Sequence, residues 1–85
     1  MAFSLVFTQA AKKDMRALPR EAFLFIDPIF IKLQEDPQCV VSRSRKLEVP
    51  FAGYRVRKGD YRILFEIAEE EITVYRVRHR KDAYR

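Results

Sequence analysis

The 85 residues carry a net charge of +5, a 48% share of hydrophobic side chains and a single cysteine. A chain of this length is expected to fold as one domain over residues 1–85 with a modest core, and its apolar content excludes intrinsic disorder. No apolar run approaches the length needed to cross a bilayer, and Cys39 alone excludes an internal disulfide or a zinc cluster.

The opening "MAFSLVFTQAAKK" lacks a basic segment followed by a long apolar one, so no signal peptide is expected and a cytoplasmic location follows as the default. Residues 2–7 read as a short strand of apolar and β-branched residues. Thr8 is placed to cap a helix through "QAAKKDMRAL", with Ala11, Met15 and Leu18 on one face. Pro19 opens a second helix. Its apolar stripe is Phe23, Ile26, Phe30 and Leu33, widened by Leu24, Phe25, Ile29 and Ile31. So apolar a helix is expected to offer part of its surface to a partner. Pro28 should kink or divide it, and "EDP" closes it because Pro37 disfavours helix at Asp36.

Residues 38–52 read as a loop with at most a short strand. Three alternating strands follow: Tyr54 to Lys58, Tyr61 to Ile67 and Ile72 to Arg78. The tail "HRKDAYR" reads as a turn and short helix. The expected order is β-α-α-β-β-β. The expected fold class is therefore α+β: a two-layer sandwich with the N-terminal strand and two helices packed on an antiparallel sheet.

Charge is distributed unevenly along this order. Residues 1–42 hold five basic and five acidic residues, whereas residues 43–85 hold twelve basic and seven acidic ones. The second half therefore carries the whole excess, which points to a polyanionic partner, nucleic acid or an acidic protein. A two-residue loop at Gly59 and Asp60 would set Lys58 against Tyr61, Arg57 against Arg62 and Val56 against Ile63. Val56 and Ile63 then face the core, and Arg55, Arg57 and Arg62 share the other side. Like charges directly opposite destabilise a sheet. The arrangement makes sense if an anion sits between them, since the guanidinium fork suits bidentate phosphate contacts.

The end of the third strand, "YRVRHRKDAYR", returns toward this turn with Arg78, His79, Arg80, Lys81 and Tyr84. A basic site with two candidate proton carriers follows. A free imidazole side chain titrates at about 6.5 and a free phenol near 10; the two carriers are His79 and Tyr84. No metal-ligand spacing, glycine-rich phosphate loop or Ser/His/Asp context is present, and no cofactor is expected. Phosphoryl chemistry by positioning and electrostatics remains available. RNA supplies its own nucleophile, the 2′-hydroxyl, and a protein need only align it and stabilise the developing charge.

"KLEVPFAGYRVRKGDYRILFEI" followed by "ITVYRVRHRKDAYR" resembles the RelE/ParE toxin superfamily, and its RelE branch more closely. The likeness covers nearly the whole chain and is weakest over residues 38–46. The apolar "FLFIDPIFI" departs from the family's more polar second helix. The resemblance implies the toxin of a type II toxin–antitoxin system, a metal-independent endoribonuclease cleaving mRNA in the ribosomal A site beside ribosomal RNA. It also implies neutralisation by a cognate antitoxin in a hetero-oligomer. By position it gives Tyr84 the role of general base, with His79 as the alternative. It gives Arg62 the phosphate, Arg80 the leaving 5′-oxygen, and Arg55 and Arg57 the orientation of the substrate. Lys58, Arg78 and Lys81 complete the expected RNA-binding set. Two other readings stand beside this one: a ParE-like inhibitor of DNA gyrase, and a non-catalytic RNA-binding module.

Overall fold

In β1 (Ser4–Phe7) exposed and half-buried residues alternate, as in a strand with one face on a core. The chain then turns at Thr8 into α1 (Gln9–Arg16). The Thr8 hydroxyl accepts the Ala11 amide at 3.1 Å and donates to the Tyr75 carbonyl at 2.9 Å. One side chain thus caps the helix and ties it to the far end of the sequence. The computed structural model describes residues 3–46 and 53–79.

Pro19 caps α2 (Arg20–Glu35), whose buried residues are Ala22, Ile26, Phe30 and Leu33. Ala22 takes the inward position expected for Phe23, which stays 38% exposed. The helix passes through Pro28 undivided. Pro28 lies on the exposed side, where water can replace the bond lost to the Leu24 carbonyl. Asp36, outside the helical region at φ −150° and ψ 76° ahead of Pro37, ends α2. Pro37 at once opens a five-residue helix, α3 (Pro37–Val41), where sequence reading placed a loop. The short β2 (Arg45–Lys46) follows.

β3 (Tyr54–Lys58), β4 (Tyr61–Ala68) and β5 (Glu71–His79) form the expected antiparallel meander. The sheet order is β1-β5-β4-β3-β2. β1 joins in parallel on β5, with Phe7 opposite Val74, so the complete sheet is mixed. That parallel pairing needs a long crossover, which the helices supply. Ile26, Phe30 and Leu33 pack with Val56, Ile63, Phe65, Ile72, Val74 and Val77 in one core. Phe7 meets Phe30 edge to face with ring centres 5.3 Å apart. Burying each such large side chain contributes roughly 1.5–3 kcal/mol. The helices therefore hold one face of the sheet, and the other carries mostly polar and charged residues, with Val6 and Leu64 among them.

Candidate nucleic-acid interface

The β3–β4 hairpin has the register read from the sequence: Lys58 opposite Tyr61, Arg57 opposite Arg62, and Val56 opposite Ile63. Gly59, the first loop residue, has φ +58°, as hairpins with glycine at that position require. Val56 and Ile63 are buried against the helices. Alternation then directs Arg55, Arg57 and Arg62 to the opposite face. The row continues into β5, where Arg78 stands opposite Arg62. Three arginines thus occupy one line across three neighbouring strands.

A further arginine comes from outside the meander. Arg43 follows α3, and β2 pairs antiparallel with β3, setting Arg45 opposite Arg55. Arg43, Arg55, Arg57 and Arg62 together line a pocket of about 320 Å³, and no acidic side chain lines it among the described residues. Arg43 was missed in the sequence because residues 38–52 read as a loop. The cluster of Arg43, Arg45 and Lys46 was the available signal. Converging guanidinium groups suit a polyanion, and planar bidentate contacts suit phosphate in particular.

The period of two separates other expected members from this set. Lys58, Tyr61 and His79 lie opposite one another in the adjacent row, on the helix side of the sheet. Lys58 Nζ sits over the Phe25 ring, 5.0 Å from its centre. His79 meets Tyr61 edge to face with ring centres 5.0 Å apart. Neither is brought to the arginine pocket, although each neighbours an arginine of the row in sequence. Arg76 is also committed elsewhere, to Asp14 through Nε at 2.9 Å and Nη2 at 3.1 Å. Tyr75 donates its hydroxyl to Glu66. That bond, with some burial and the carboxylate charge, holds the Tyr75 phenol above its ordinary value and keeps it protonated. Arg80, Lys81 and Tyr84 lie outside the described residues.

The family model for the ParE toxin of type II toxin–antitoxin systems, parDE, matches residues 5–84. Toxin RelG of Mycobacterium tuberculosis is 35% identical over 89 residues, which cover 100% of this chain and 99% of that protein. Among solved structures, the toxin–antitoxin complex RelBE2 of M. tuberculosis superposes with TM-score 0.78 at 26% identity, covering 94% of this chain and 100% of that one. The RelB–RelE antitoxin–toxin complex of Methanococcus jannaschii gives TM-score 0.75 at 28% identity, covering 93% and 94%.

Proposed function

The chain belongs to the RelE/ParE toxin superfamily of type II toxin–antitoxin systems, and from that premise we infer that it is a metal-independent endoribonuclease cleaving mRNA in the ribosomal A site. The observation that carries this reading is the pocket of Arg43, Arg55, Arg57 and Arg62 on the helix-free face of the sheet. A cleavage that uses the 2′-hydroxyl of RNA needs alignment, charge stabilisation and proton transfer. The 2′-oxygen forms a bond to the adjacent phosphorus, the bond from phosphorus to the 5′-oxygen breaks, and a 2′,3′-cyclic phosphate remains. Arg62, at the centre of the row, holds the phosphate as negative charge builds on it. Arg55 and Arg57 orient the strand, with Arg43 and Arg78 extending the basic track.

The proton leaves the 2′-hydroxyl for the Tyr84 phenolate, and the 5′-oxygen departs stabilised by Arg80 and takes a proton from water. Both assignments rest on the position of these residues in the motif "HRKDAYR". Tyr84 is favoured over His79 as base because His79 packs edge-on to Tyr61 on the helix side. Lys81 contributes to the electrostatic hold on RNA.

A cognate antitoxin is the second partner. Phe23, Leu24, Phe25 and Ile31 are exposed on α2. Beside them a groove of about 450 Å³ is lined by Leu5, Phe7, Met15, Phe23, Phe30 and Ile31, and its polar members are Lys12, Arg16, Gln34 and one acid, Asp27. An amphipathic antitoxin helix with acidic flanks fits that surface. Among the described residues no helix is long and apolar enough to cross a membrane.

The test is primer extension on mRNA programmed into purified ribosomes. Wild type should make codon-phased cuts, and Arg62→Ala and Tyr84→Phe should each slow cleavage by roughly 10²-fold. The family model that matches is named for ParE, and one fold can serve both activities. Inhibition of DNA gyrase supercoiling without RNA cuts would establish that second reading. RNA binding without either activity would leave a binding module.

A further inference from the structure

Phe25 has an unusual set of neighbours for an exposed aromatic residue. It lies in α2, is 46% exposed, and is absent from the buried cluster and from the residues packed on it. Its ring meets the β3–β4 turn instead. A Cβ built on Gly59 would fall 2.8 Å from Phe25 Cε2 and 3.0 Å from Cζ. The Lys58 ammonium covers the same ring. The Gly59 carbonyl also accepts a long, solvent-exposed bond from Arg57 Nε at 3.4 Å. Arg57, like Arg43, is an exposed member of the arginine pocket. One physical chain thus runs from the Phe25 ring through the Gly59 backbone to the Arg57 guanidinium.

We propose that Phe25 is a positioning residue: it braces the Gly59 turn from the helix side so that the Gly59 carbonyl holds the Arg57 guanidinium at the pocket. An exposed arginine otherwise samples many rotamers, and ordering it on phosphate costs entropy. A turn held in place reduces that cost before RNA arrives. The close approach also explains the glycine twice over. Gly59 has φ +58°, and a Cβ there would push the Phe25 ring out of its present place. This proposal rests on the reading of the arginine pocket as a phosphate site.

A double-mutant cycle in the full-length chain tests it, using anisotropy of a labelled single-stranded RNA dodecamer across a salt series. Arg57→Ala should weaken binding about 10-fold and lower the slope of log affinity against log salt by about 0.7. Phe25→Ala should weaken binding roughly 3- to 5-fold in the wild-type background and not at all in the Arg57→Ala background. Its salt slope should move toward that of Arg57→Ala, which a purely structural role would not produce. Phe25→Tyr keeps the ring and should restore both values. Equal losses from Phe25→Ala in both backgrounds, or no loss in the first, would overturn the positioning role while leaving the pocket intact. No effect of Arg57→Ala would refute the phosphate reading of the pocket, and this proposal with it.

Discussion

Asp14 receives two bonds from the Arg76 guanidinium and a third from the Val77 amide, at 3.0 Å. β1 stops pairing with β5 at Phe7 and Val74. Beyond that point the sheet edge would leave an amide unpaired, and the α1 carboxylate takes it. The Arg76 side chain is 40% exposed, so the ion pair itself contributes modestly. The larger cost of losing Asp14 is the orphaned, partly buried amide. Asp14→Ala should therefore lower unfolding free energy by about 2 kcal/mol, and Asp14→Asn by less, because an amide oxygen can still accept from Val77. Urea midpoints at constant slope would measure both. Little in the sequence marks this role. Asp14 reads as one charge among Lys12, Lys13 and Arg16, and its partners lie 62 and 63 residues away. Thr8 was legible as a cap because capping is local, but its bond to Tyr75 was not.

Elements were legible where a local rule fixes them. The β3–β4 register followed from one glycine, a two-residue loop and alternating apolar residues, and it placed Arg57 opposite Arg62. α3 and β2, at five and two residues, are too short to show a period. β2 exists because β3 offers an edge to pair with, a fact about another segment. Arg43 was lost with them. The β4–β5 turn carries a different signal. Ala68 stands opposite Glu71, so Glu69 and Glu70 form the loop, and Glu69 has φ +57°. A non-glycine residue there is strained, and two carboxylates flank each other in the same turn. Glu69→Gly should raise stability by about 0.5–1 kcal/mol, the relief exceeding the extra freedom of the unfolded chain. Thermal melts would read this as a gain of a few degrees, roughly 3–6 °C for a domain of this size. A loss of stability would mean that the Glu69 side chain contributes to the turn.

At the scale of the molecule, the uneven charge of the sequence becomes a division between surfaces. Residues 1–42 have no net charge and supply α1, α2 and the exposed apolar patch. The arginine pocket draws its four residues from positions 43–62 and lies across the sheet from the helices. The length, the antiparallel meander and the basic second half were legible. The parallel seat of β1 on β5 was not, because it joins segments separated by most of the chain. Two faces imply that antitoxin binding and the proposed cleavage can be separated. Leu24 and Ile31, seven residues apart on α2, are 55% and 49% exposed and point away from the core. Replacing both, as Leu24→Glu with Ile31→Lys, should change stability by no more than about 0.5 kcal/mol per site. The ribosome-dependent cleavage proposed above should persist, since the pocket lies on the other side of the sheet. Binding of the cognate antitoxin should weaken by roughly 10²-fold or more, because exposed apolar anchors are the residues that carry such interfaces. In a growth assay the doubly substituted chain would then remain toxic when the antitoxin is co-expressed, while wild type would be silenced. Continued silencing would locate neutralisation on the arginine face, with an acidic antitoxin segment occupying the place of RNA.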